Sequence, residues 1–183
     1  MKIIIIPSAQ SLHSNDYSTI LSKQGFSYAD TLVSIIDNIK PDVIYCSPFI
    51  RAMQTIYPYC IEYNKNIKIE CSLSPLERFD SKFQYYPPSH KEYFSYLFDI
   101  FDRSYKTNVL PNNIFRNETR NDIGNRLYPF LYSLKKQYGE KNTTIALVTH
   151  SDISSFIVTY LQDTPVVVLD GARVSDENSC YEN

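Results

Sequence analysis

Residues 2–11, KIIIIPSAQS, decide the fold class. A strand with one solvated face alternates apolar and polar residues, so the unbroken run Ile3–Ile6 requires cover on both faces. It predicts a strand over Lys2–Ile6 in a sheet held between two layers of helices, with a polar loop from Pro7 onward. The run is too short for a secretion signal, and nothing in the chain approaches the roughly 18 apolar residues of a membrane helix. The expectation is a soluble protein with no membrane partner.

Outward from that strand, Phe26, Ala29, Leu32, Val33, Ile36 and Ile39 recur at helical spacing and predict an amphipathic helix over Ser22–Ile39, ended by Pro41. Asp42–Cys46 predicts a second strand, after which Ser47 and Pro48 suit the N-cap and first turn of a helix reaching Tyr63. Ile67–Glu70 predicts a third strand. The stretch from Ser72 to Phe115 differs in kind: it is rich in aromatic residues, contains Pro87 and Pro88, and holds one predicted helix between Lys91 and Phe101. It reads as an insertion. Alternation resumes with a helix over Glu118–Tyr138, a strand over Thr144–Val148, a helix capped by Ser151 or Asp152 and reaching Leu161, and a last strand near a sheet edge over Val166–Leu169.

Strands alternating with helices imply an α/β fold: three α/β/α layers, a mostly parallel central sheet, and a helical, aromatic-rich insertion over the site. One domain is expected over residues 1–174 with the insertion at about 72–115, followed by a disordered tail at 175–183. A net charge of −2 and a pI near 5.9 give no reason to expect nucleic acid as a partner. Cys46, Cys60, Cys71 and Cys180 show no CxxC pair and no ligand spacing with His13, His90 or His150, so no metal and no cofactor are expected. Without a secretion signal the expected compartment is reducing, cytoplasmic or nuclear, where buried free thiols are the ordinary state of cysteine.

Ligands of open α/β sheets gather at the carboxyl ends of strands, where helix N-termini favour anions. Three segments point there: Pro7-Ser8-Ala9-Gln10-Ser11, Cys46-Ser47-Pro48-Phe49-Ile50-Arg51 and Val148-Thr149-His150-Ser151.

In this order and spacing the segments resemble the histidine phosphatase superfamily, the phosphoglycerate mutase-like fold. Ile44–Thr55 resembles the family's strand-SP-x-x-R-A-x-Q-T element, with Arg51 matching a phosphate-binding arginine. Leu73–Glu77 is similar to the segment that ends in the acid-donating carboxylate, which implies that role for Glu77. Leu147–Ser151, LVTHS, resembles the strand that delivers the second active-site histidine, here His150. Leu21–Ala29 is similar to L-T-x-x-G-x-x-Q-A, with Tyr28 in place of the glutamine. The resemblance implies phosphoryl-transfer chemistry on a phosphate monoester, with Ser11 and His150 beside Arg51 at the phosphate.

The departure lies at the first strand. The family's R-H-G-x-S supplies the nucleophilic histidine, whereas this chain has Pro7-Ser8-Ala9-Gln10-Ser11 and keeps the final serine alone. Neutral imidazole is nucleophilic near pH 7, while a serine hydroxyl needs an activator, and Ser8 has none evident in the sequence. Pro7 removes a guanidinium fork and has no N–H to replace it. Losing a nucleophile costs on the order of 10⁴ to 10⁶ in turnover, and losing one charged clamp adds roughly 10² to 10³. The expectation is a catalytically inactive pseudo-phosphatase that binds a phosphorylated ligand or a protein partner. The alternative is an active phosphomonoesterase or phosphomutase-like enzyme whose substitute nucleophile is His13, His150 or Ser8, with Glu77 as acid.

Plainer readings stand beside these. His150 suits a core histidine satisfied by backbone, Arg51 a surface ion pair on its helix, and Glu77 an ordinary surface carboxylate. His90 suits a lid residue or a solvated loop histidine. Cys46 to Arg51 is one residue short of the C-x5-R loop of cysteine phosphatases and lacks its glycine, so Cys46 reads as an apolar strand end. The insertion's aromatic residues read as a satellite core, with Tyr93, Tyr96 and Leu97 on one helical stripe.

Overall fold

The computed structural model describes residues 1–12, 17–76, 94–109 and 118–169. In chain order the elements are β1 (Lys2–Pro7), α1 (Lys23–Ile39), β2 (Val43–Cys46), α2 (Ile50–Glu62), β3 (Ile67–Ile69), a 3₁₀ turn (Cys71–Leu73), a 3₁₀ helix (Ser95–Ile100), α3 (Arg120–Tyr138), β4 (Thr144–Thr149), α4 (Ser151–Tyr160) and β5 (Val166–Val168). The strands form one five-stranded sheet in the order β3-β2-β4-β1-β5, and every described pairing is parallel.

The isoleucine run has its explanation in the two faces of this sheet. Ile4 and Ile6 join Ile44, Cys46, Ala146 and Val148 against Leu32 and Ile36 of α1 and Met53 and Ile56 of α2. Ile3 and Ile5 join Tyr45, Ile145 and Leu147 against Leu127 and Leu131 of α3 and Ile153 and Ile157 of α4. Alternate side chains enter different cores, so neither set can be polar.

Several boundaries depart from the pattern in the sequence, each for a local reason. β1 runs one residue further, to Pro7, which pairs with Thr149 while the next amide, Ser8 N–H, donates to the Thr149 carbonyl at 2.7 Å. α2 starts at Ile50 with Phe49 at the N-cap, so Ser47 is not the cap. His150 stands at the N-cap of α4, in place of Ser151 or Asp152. Phe26 is 42% exposed, because the buried stripe of α1 is centred on Gly25, Ala29, Leu32 and Ile36. Of the predicted Lys91–Phe101 helix, the described residues 94–101 form the 3₁₀ helix Ser95–Ile100 and its two caps, with Leu97 buried. The tail at 175–183 and most of the stretch between Glu77 and Phe115 lie outside the described residues.

Gly25 carries a conformation-independent requirement. A Cβ there would lie 2.0 Å from the Gln10 carbonyl oxygen, and that oxygen also accepts the Ser22 N–H at 2.9 Å. Both groups are backbone, so the clash has no flexible side chain to absorb it. Alanine gains roughly 1 kcal/mol over glycine inside a helix, while overpacking against fixed backbone costs about 1–3 kcal/mol. Gly25→Ala should therefore lower stability by up to about 2 kcal/mol, read as a lower denaturant midpoint at unchanged m-value. An unchanged midpoint would mean that the loop at Gln10 yields freely.

Candidate active site

Because β4 lies between β1 and β2, the carboxyl ends of all three strands meet. Ser8 N–H donates to the Thr149 carbonyl at 2.7 Å and Ser47 N–H donates to the Val148 carbonyl at 2.8 Å, so both flanking loops are stitched to the end of β4. At that junction His150 is 5% exposed, with Ser8 Oγ 3.4 Å from its Nδ1 and Ser47 Oγ 2.9 Å from its Nε2. A neutral ring donates from one nitrogen and accepts at the other, so a hydroxyl meets each side. Phe49 lies edge-on to the imidazole at 5.3 Å between centroids, and the Arg51 guanidinium carbon is 4.8 Å from the centre of the same phenyl ring.

The structure thus brings together Ser8, Arg51 and His150, three of the residues singled out by the sequence. Ser11 sits in a single-residue antiparallel bridge with Leu21, which fixes the backbone of the loop. Glu77, His13 and His90 lie outside the described residues. Among the described residues, the nearest base to Ser8, for which the sequence shows no evident activator, is the His150 ring at 3.4 Å from its hydroxyl. Ser47, read from the sequence as a cap, places its hydroxyl on His150, although it also accepts the Phe49 N–H at 3.4 Å.

Sequence reasoning missed the residues that hold this arrangement. Thr55 Oγ1 accepts the Ala9 N–H at 2.9 Å and donates to the Arg51 carbonyl at 2.7 Å, tying the loop after β1 to the first turns of α2. Gln54 Oε1 accepts the Leu21 N–H at 2.9 Å. On the other side of β4, Thr149 Oγ1 donates to the Leu73 carbonyl at 2.8 Å. Arg126, from α3, donates to the carbonyls of Ser72 (2.6 Å), Ser74 (3.0 Å) and Pro75 (3.1 Å) and to both oxygens of Glu118. The match of Gln54 and Thr55 to a family motif was the signal available for the first pair. For Arg126 there was none.

The electrostatics of His150 follow from this packing. Burial is the largest cause that holds its pKa well below the ordinary 6.5, and the positive charges of Arg51 and Arg126 push in the same direction. The folded state keeps the ring neutral while the unfolded state protonates it, so the unfolded chain binds more protons below pH 6.5. The stabilisation is whole above the unfolded value and is lost as pH falls through it toward the folded one. Acidification from about pH 7.5 to about 5.5 should therefore cost on the order of 1 kcal/mol of unfolding free energy. His150→Gln, which can still donate and accept, should flatten that slope. Asp102, held down to about 2 by its hydrogen bonds from Lys68 and Ser104, keeps its contribution throughout this range and loses it only under far more acid conditions, so it adds nothing to the slope. A slope unchanged in the glutamine variant would refute the assignment to His150.

Among the described residues no three His, Cys, Asp or Glu side chains cluster to hold a metal, and no helix is long and apolar enough to cross a membrane.

A family model described as the histidine phosphatase superfamily (branch 1) matches residues 9–181. No curated protein matches the chain by sequence. Solved structures share the fold. The ecdysone phosphate phosphatase of Bombix mori, in complex with tungstate, is 15% identical with a TM-score of 0.62 over 91% of this chain and 62% of its own. This chain thus spans less than two thirds of that relative's length. A mycobacterial glucosyl-3-phosphoglycerate phosphatase, in complex with inorganic phosphate, is 15% identical with a TM-score of 0.57 over 88% of this chain and 78% of its own. A putative alpha-ribazole-5'-P phosphatase from Escherichia coli is 17% identical with a TM-score of 0.58, over 88% of this chain and 80% of its own.

Proposed function

This chain belongs to the histidine phosphatase superfamily, and from that premise we propose that it is a catalytically inactive member, a pseudo-phosphatase that works by binding a phosphorylated ligand or a protein partner. The observation that carries the reading is the environment of Ser8. It stands at the tip of β1, where the family's nucleophilic imidazole would attack, and the base beside it is an imidazole held neutral by burial and by Arg51 and Arg126.

For Ser8 to attack phosphorus, its proton must pass to His150 Nδ1. The imidazolium so formed would sit buried in the field of two guanidiniums, with the hydroxyl of Ser47 rather than a carboxylate on its far nitrogen. Each factor that keeps the ring neutral opposes that transfer, so Ser8 remains an ordinary alcohol. The same Arg51 charge favours an anion at this position. Binding is the half of phosphoryl-transfer chemistry that these residues still support. A reducing compartment, cytosol or nucleus, belongs to the same reading, because the buried thiols of Cys46, Cys60 and Cys71 are free.

The test has two arms. With a generic aryl phosphate the protein should show no turnover above background, and a kcat on the order of 1 s⁻¹ would overturn the reading. Inorganic phosphate or tungstate should raise the melting temperature in a saturable way, and Arg51→Met should abolish the shift. A second reading, a phosphomonoesterase or phosphomutase-like enzyme that uses Ser8, is favoured by the 3.4 Å approach of Ser8 Oγ to His150. Phosphoserine trapped at position 8 during turnover, and lost in Ser8→Ala, would decide for it.

A further inference from the structure

On the outer face of the α1–α2 layer lies a cleft of about 450 Å³, within the roughly 300–1,000 Å³ typical of small-molecule sites. Its floor is α2, with Tyr57, Pro58, Ile61 and Glu62. One wall is Phe26 and Asp30 of α1, and the other is Tyr96 of the 3₁₀ helix. It shares no residue with the Ser8, Arg51 and His150 constellation. We propose that this cleft is a binding site for a small organic cation, a protonated or quaternary amine carried on an apolar body.

Two observations converge on that chemistry. The first is apolar surface left in water: Phe26 is 42% and Ile61 51% exposed, and both line the cleft. With Tyr57 and Tyr96, whose rings meet edge to face at 4.9 Å, they supply three aromatic rings and an aliphatic wall for the body of a ligand. Aromatic faces carry negative electrostatic potential and attract cations within about 6 Å.

The second is charge. Asp30 and Glu62 line the cleft, no lysine or arginine does, and neither carboxylate has an ion-pair partner among the described residues. A third carboxylate, Asp99, lies near enough to act on Tyr57, whose phenol is held above the ordinary range first by desolvation and then by Asp99.

The cleft also has a path to the pocket. The Gln54 amide donates to Tyr96 Oη at 2.9 Å and its oxygen accepts the Leu21 N–H, next to Ser22, whose N–H bonds to Gln10 in the loop after β1. Occupancy is thereby placed one side chain from the strand-end loop.

The experiment titrates the full chain by protein-observed NMR with benzyltrimethylammonium, benzyl alcohol and benzoate. The cation should bind saturably with a Kd tighter than about 10 mM, moving resonances of Phe26, Tyr57 and Tyr96, while benzoate should not. Asp30→Asn with Glu62→Gln, both at exposed positions and so tolerated by the fold, should weaken the cation by about tenfold and leave benzyl alcohol unchanged. Equal affinity for the alcohol and the cation, an unaltered cation affinity in the double variant, or no saturable shift would each overturn the proposal.

Discussion

Pro7→Arg combined with Ser8→His should convert the protein into a measurable phosphatase, with aryl phosphate turnover at least about 10³-fold above the parent chain. The size of the effect follows from the proposed loss of nucleophile and clamp at the two positions. A missing nucleophile costs on the order of 10⁴ to 10⁶ and a missing charged clamp roughly 10² to 10³, so restoring part of each leaves a wide margin over background. The backbone is prepared for the exchange. Residue 7 is the last pair of β1, opposite Thr149, and the amide of residue 8 is already bonded to the Thr149 carbonyl, so the side chain at position 8 projects from a fixed strand end beside His150.

The single variants separate the two contributions. Ser8→His alone supplies a nucleophile without its clamp and should give a small part of the gain. Pro7→Arg alone adds charge to a pocket whose alcohol still has a reluctant base, and it should bind phosphate more tightly without turnover. A double variant that keeps its circular dichroism and melting temperature yet stays at background would show that the decay extends past the first motif, to the groups that protonate the leaving oxygen.

How much of this was legible in the sequence depends on how local each signal is. The sheet was legible because Ile3–Ile6 can be buried on both faces in few other ways, and the two cores each take alternate residues of the run. The strand-end constellation was legible because Ser8, Arg51 and His150 each follow a readable strand. Ser47 was not, since Ser-Pro ahead of a helix looks the same whether the hydroxyl caps that helix or meets an imidazole 103 residues away. Phe26 fits the helical period of α1 but faces the cleft, because a period fixes an angle and not the width of the covered stripe. Six residues of 3₁₀ helix at Ser95–Ile100 carry too few repeats to tell a period of three from 3.6.

Arg126→Met should cost about 3–5 kcal/mol of unfolding free energy, a large share of the roughly 5–15 kcal/mol that a domain possesses. The pair it breaks is buried, with the Arg126 and Glu118 side chains 4% and 1% exposed. Methionine fills much of the volume, so the loss is electrostatic: the Glu118 carboxylate stays in the interior without its cation, and the carbonyls of Ser72, Ser74 and Pro75 lose their donors. Removing both charges, as Arg126→Met with Glu118→Leu, eliminates the stranded carboxylate but not the stranded carbonyls. That variant should therefore recover part of the stability, about 1–3 kcal/mol, and a chemical denaturation cycle on the four proteins measures the difference. Full additivity would show that the two side chains do not depend on each other. The consequence reaches the pocket, because the segment clamped by Arg126 also receives the Thr149 hydroxyl through Leu73, at the end of the strand that presents His150. Loosening Ser72–Pro75 frees both the chain that leads to Glu77 and the last residue before His150, so the phosphate-induced rise in melting temperature should shrink in Arg126→Met even where the variant remains folded.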